Sequence, residues 1–257
     1  MFASTRSPSN SSLGSDADEH DGSSGEKQSP INITKEIIDY DPALKSSQLK
    51  FSYKLGDAKT VEITKNGFSC KINENGTSTL TGSHLPAVYR FREFHGHWGE
   101  TEEDGSEHRI SGRAFSGELH FMFWNPKYKN YQQCLKQPDG VAILAVFVLM
   151  DAEDNEHFQP LLTAIEESLA MDTPVALPKG FDFSRLLPDK LHYYTYEGSL
   201  TVAPFNECAI WTILHRPIPI GISQLQVLRT VMGDNARAMQ EVYERRVRAS
   251  FKTAKTT

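Results

Sequence analysis

Phe94-His95-Gly96-His97-Trp98-Gly99, taken together with Glu118-Leu119-His120-Phe121-Met122-Phe123-Trp124 a short way downstream, decides how the rest of this chain is read. Two histidines at i and i+2 of an extended strand point to the same face, because side chains alternate with a period of two. His120 arrives on a second alternating apolar run, with enough chain between the two for a return strand alongside the first. Three neutral imidazoles converging from neighbouring strands leave one corner of a tetrahedron open, which is what a catalytic rather than a structural zinc requires. A His-x-His pair by itself is as often a pair of core histidines. Here the pair sits among Phe91, Phe94 and Trp98, where a buried imidazole needs a polar partner. Glu93 stands two residues before His95 and Glu118 two before His120, so each carboxylate shares a face with an imidazole and can hold its N–H. The expectation is a zinc centre on His95, His97 and His120, steadied by Glu93 and Glu118.

Working outward, the chain has 257 residues and a net charge of −6, with its basic residues scattered. That balance argues against a nucleic-acid partner, and Arg245-Arg246-Val247-Arg248 reads as a solvated face. No apolar run reaches the ~18 residues of a membrane span; the longest, Val141 to Met150, has the length of a buried strand. Residues 1–27 are rich in Ser, Gly, Asp and Glu and are expected to be a disordered tail without a secretory signal, with one domain over residues 28–257. Cys70, Cys134 and Cys208 are odd in number and widely spaced, as reduced buried thiols of a cytoplasmic protein would be. Strands are predicted over Leu49–Leu55, Thr60–Thr64, Phe68–Asn73 between the turn signals Asn66-Gly67 and Asn75-Gly76, Val88–Trp98, Glu118–Trp124, Val141–Met150 and Cys208–His215. Helices are predicted over Phe158–Met171, with Pro160 in its first turn, and Ser223–Met232, with Ser223 as N-cap.

The segments Gln28-Ser29-Pro30-Ile31-Asn32-Ile33, Phe94 to Gly99, Gly105-Ser106-Glu107-His108, Glu118-Leu119-His120, Trp124-Asn125 and Gly198-Ser199-Leu200-Thr201 resemble the α-carbonic anhydrases in order and spacing, over roughly Gln28 to Lys252. The resemblance implies a mainly β domain: a large, twisted, mostly antiparallel central sheet with short peripheral helices and a zinc at the base of a central cone. It implies reversible hydration of carbon dioxide to bicarbonate and a proton, a part in pH homeostasis, and a monomer acting on a small substrate. Catalysis would fall to Thr201 and Glu107. A hydrogen bond from Thr201 to Glu107 would make the threonine oxygen accept from the reacting water and so aim it at the substrate carbon. Met122, Ile143, Leu200 and Trp211 would form the apolar wall against which uncharged carbon dioxide rests. Secreted members usually carry a disulfide pair, for which this chain lacks the first cysteine near Gln28.

The departures from the family pattern are informative. Phe68 follows Asn66-Gly67 where fast members place the histidine that carries the proton to solvent, and Val202 replaces a polar residue after Thr201. Arg92 replaces an apolar residue at the cavity rim, Met122 and Ile143 are bulkier than the usual valines, and the aromatic residues usual before Gln28 are missing. Glu93 replaces a glutamine, which makes His95 more electron-donating and the bound water less acidic. An enzyme slowed at proton release is expected. The alternative is a catalytically inactive carbonic anhydrase-related binding module; such relatives typically lose one of the three histidines, and all three stand here.

Overall fold

The computed structural model describes residues 25–252; most of the expected N-terminal tail, residues 1–24, lies outside them. In chain order the strands are β1 (Asn32–Ile33), β2 (Ile38–Tyr40), β3 (Lys50–Ser52), β4 (Ala58–Thr64), β5 (Gly67–Ile72), β6 (Thr79–Thr81), β7 (Tyr89–Trp98) and β8 (Arg109–Ile110). They continue as β9 (Gly117–Trp124), β10 (Val141–Asp151), β11 (Val175–Ala176), β12 (Tyr193–Gly198), β13 (Ala209–Gly221) and β14 (Val247–Ala249). The helices are α1 (Tyr131–Cys134), α2 (Gln159–Met171) and α3 (Ile222–Val231). Twelve strands form one sheet in the order β11-β4-β5-β7-β9-β10-β13-β12-β14-β2, with β6 joining β3 to β7. Its pairings are antiparallel except for β10 with β13 and β14 with β2, so the expected mostly antiparallel sheet is present with two parallel junctions.

The centre of the sheet explains the apolar run at Val141. Val141 to Val148 are all buried, without alternation, because both faces of β10 are covered. On β9 the two faces separate by parity. Phe121 and Phe123 enter a core with Phe68, Phe94, Trp98 and the buried side of α2, whereas Met122 enters a second core with Ile143, Tyr196, Leu200 and Trp211. The predicted strand at Leu49 shrinks to three residues, and that at Cys208 runs on to Gly221. In α2, Leu161, Leu162 and Ile165 face the core as the helical spacing requires, whereas Leu169 is 40% exposed. The N-cap of α3 is Gly221 rather than Ser223. Gln224 turns back to accept from the Gly221 N–H at 3.1 Å, and Ser223 is occupied with Asp154 at 2.7 Å. Gly67 has a φ of +109°, and a Cβ there would lie 2.6 Å from the Asn235 side chain, so the turn into β5 accepts only glycine without strain.

Candidate metal centre and active site

His95 and His97 project from one face of β7, and His95 lies directly opposite His120 on β9. The return strand inferred from spacing therefore brings the third ring into place. The ring centroids lie 5.2, 5.2 and 4.6 Å apart, and the His120 Nδ1 and His95 Nε2 atoms 3.3 Å apart. Two ligands at the ~2.0–2.1 Å of a zinc–nitrogen bond, at a tetrahedral angle, are about 3.4 Å from each other. His97 Nε2 is buried with no hydrogen-bond partner, a cost that a metal would remove.

The outer atom of each ring fixes which nitrogen is left free. Glu118 accepts from His120 Nε2 at 2.8 Å, so its Nδ1 is the free one. His97 Nδ1 donates to the Asn235 carbonyl at 3.0 Å, leaving Nε2. His95 Nδ1 faces Glu93 at 3.4 Å without closing a hydrogen bond. Glu118 serves two histidines, since His108 also donates to it through Nδ1 at 2.7 Å and through its backbone N–H at 2.8 Å. His108 Nε2 in turn meets the Tyr196 hydroxyl at 2.7 Å, and Tyr196 meets Ser29 at 2.8 Å. Burial lowers His97 well below the ordinary imidazole value, and it brings His120 to about 4, so both rings are neutral and able to bind a cation at neutral pH. Burial alone would raise Glu118, yet His108 and His120 pull it well below the usual carboxylate range. Burial opposes Glu93 likewise, and the neighbouring His95 overrides it and brings the carboxyl to about 2.

Glu107 lies against this cluster, its Oε1 3.4 Å from His97 Nδ1 and accepting the Arg237 N–H at 2.9 Å. Its Oε2 is buried and unpaired, with the Thr201 hydroxyl near enough to favour the ionised carboxylate. Burial and the charge of Glu118 push Glu107 up, while the Arg237 N–H and the Thr201 hydroxyl pull the other way. Thr201 is brought to the site by its own segment: Ser199 accepts from the Ser29 N–H at 2.9 Å, and Ser29 Oγ accepts from the Ser199 N–H at 3.1 Å. This exchange joins two motifs that are 170 residues apart in the chain.

The apolar wall assembles as a row across three strands, since Met122 pairs with Ile143 and Ile143 with Trp211. Leu200 packs in the same cluster, and the Trp211 ring meets His120 at 4.9 Å. Phe68 is placed differently from the residue expected to line the cavity. It is 2% exposed and stacks on Trp98 at 5.9 Å, in the core behind β7. Ser69, directly opposite His95, is the residue of that stretch which shares the histidines' face. Arg92 sits at a bulge in β7, exposed and 3.8 Å over the Tyr131 ring. Asn235, Arg237, Tyr196 and the role of His108 were missed from sequence. Asn235 and Arg237 act partly through backbone atoms in a stretch with no periodicity, so no side-chain pattern pointed to them.

A model of the eukaryotic-type carbonic anhydrases matches residues 16–251. Carbonic anhydrase 3 of Homo sapiens is 37% identical over 242 residues, covering 89% of this chain and 91% of its own. The horse (Equus caballus) protein of the same name is 39% identical over 244 residues, at 89% and 91% coverage, and that of Mus musculus 38% at the same coverage. Agreement of the matched span with the sheet and the three converging histidines leads to one conclusion: the chain belongs to the eukaryotic-type carbonic anhydrase family and is an enzyme of carbon dioxide hydration.

Proposed function

We propose that the hydration depends on zinc held by His95 Nε2, His97 Nε2 and His120 Nδ1. The observation that carries this is the convergence of three rings whose outer nitrogens point at Glu93, Asn235 and Glu118 and whose inner ones face one another. Zinc in that tripod supplies water acidic enough to lose its proton near neutral pH. The other tasks fall to the chain. Thr201, with Glu107 behind it, orients the attacking oxygen, and Glu107 is held for this by the Arg237 N–H. Met122, Ile143, Leu200 and Trp211 receive carbon dioxide and exclude water from the carbon under attack. Glu93 and Glu118 keep His95 and His120 in position, Glu93 at the cost of making the bound water less acidic.

Proton export limits turnover in this reading. Neither Phe68, buried and aromatic, nor Ser69, on the histidines' face, titrates near neutrality, and Lys71 on the same face is paired with Glu62 at 3.0 Å. The domain spans residues 28–257 behind a tail of residues 1–27. The protein acts as a monomer on carbon dioxide and bicarbonate in the cytoplasm, where three free buried cysteines are at home, and serves pH homeostasis. Purified protein is expected to hold one zinc per chain and to hydrate carbon dioxide in a stopped-flow assay. Absence of both metal and activity would instead identify a binding module.

A further inference from the structure

The pairing of β12 with β14 stops at Thr195–Arg248, and beyond it a cavity of about 400 Å3 opens beside Lys27, Thr195, Ile210 and Arg245. It lies away from the histidines. Tyr196 turns its hydroxyl toward His108, so by strand alternation Thr195 and Glu197 point to the opposite side.

Most charges around this cavity are already neutralised. Lys27 pairs with Glu197 at 2.7 Å, Arg246 with Asp39 at 2.7 and 2.9 Å, and Arg248 with Asp41 at 3.2 Å. Arg245 is the exception. It is half-buried, and its guanidinium donates only to the carbonyls of Val242, Glu197 and Glu241, with no carboxylate at ion-pair distance among the described residues. Three of its five N–H groups are thereby used, and its charge is offset only at longer range, by Glu207, and by the face of the Tyr196 ring. A half-buried guanidinium with two N–H groups unused and no carboxylate in direct contact has donors and charge left for a bound anion. The second observation is independent. Thr195 is 1% exposed, lines the cavity, and its hydroxyl has no hydrogen-bond partner among the described residues. A hydroxyl at a cavity wall that no neighbouring group engages is available to a polar ligand as donor or acceptor. Ile210 and the Tyr196 ring, which Arg245 covers at 5.6 Å, supply an apolar flank.

We infer that this cavity is a second ligand site for a small oxyanion, a carboxylate or a phosphate, held by Arg245 and by the Thr195 hydroxyl. A volume of this size admits a small organic molecule carrying such a group.

The test is calorimetric titration of the zinc-loaded, full-length protein with inorganic phosphate and, separately, with succinate. Saturable 1:1 binding is expected for at least one probe, and the tighter of the two tells phosphate from carboxylate. It should persist after zinc is removed with a chelator, because the site is separate from the histidines. Arg245→Met should weaken it by about tenfold or more, as loss of a charge-assisted hydrogen bond does. Thr195→Val should weaken it severalfold with the carbon dioxide hydration rate unchanged, and it decides the matter should the arginine variant fold poorly. Binding that vanishes with the metal would place the anion at the catalytic centre and overturn the proposal. So would unchanged affinity in Thr195→Val, or no binding of either probe tighter than about 10 mM.

Discussion

His97 is held on both sides, by the Asn235 carbonyl on Nδ1 and by an unpaired Nε2 facing two other rings. His97→Ala should therefore abolish zinc retention and carbon dioxide hydration together, read by metal analysis and stopped flow; a variant that kept both would remove the ligand assignment. Glu93→Gln replaces a carboxylate beside His95 with an amide, so His95 donates less electron density and the water at the site becomes more acidic. The pH–rate profile should shift to lower pH, and one that stays put or rises would sink this argument. The structure also reshapes the proton-release experiment. Phe68→His places a polar ring in an aromatic core and should cost stability on the order of 2 kcal/mol or more without becoming a shuttle. Ser69→His shares the face of His95 and should raise turnover in weak buffer with little change in kcat/KM. No gain in any buffer would mean that proton export is not limiting.

Among the elements, α3 shows how a cap can be misread from sequence. A serine just before an apolar run is a good N-cap signal, yet Ser223 already lies inside the helix and bonds Asp154. Gln224, 2% exposed, accepts from the N–H groups of Gly221 and Asn155 and donates to the Asn155 carbonyl. It ties α3 to the chain entering α2. Gln224→Ala should cost roughly 1–3 kcal/mol in urea unfolding, and Ser223→Ala less than about 0.5. Equal costs would restore the serine as the cap. The strands were more legible. His-x-His alternation on β7, the parity split on β9 and the unbroken apolar run of β10 follow from a side-chain period of two and from whether one face or both are covered.

For the whole molecule, acid stability depends on rings kept neutral. Burial brings His84 to about 3, with the charge of Arg248 adding, while Thr212 Oγ1 holds its Nε2 at 2.7 Å. In the unfolded chain the ring takes a proton near 6.5, so between that pH and about 3 the unfolded state binds more protons than the folded one. Stability from this residue falls as the pH drops through that window, by up to about 1.4 kcal/mol per pH unit. His84→Gln should be less stable at pH 7.5 but lose less on going to pH 5, measured by urea unfolding of zinc-loaded protein. A parallel decline in both proteins would assign the acid sensitivity elsewhere.

Taken alone, the sequence determined the strand that carries two histidines, the presence of a third on a partner strand and the mainly β class, because all of these rest on local periodicity and on motif order. Only the tertiary structure decided which backbone carbonyl holds His97, that Glu118 serves two histidines, that Phe68 belongs to the core, and that Ser29 and Ser199 bind each other. Each of these is a contact between segments far apart in the chain, made partly by backbone atoms, and neither sequence separation nor side-chain type reports where a carbonyl will point.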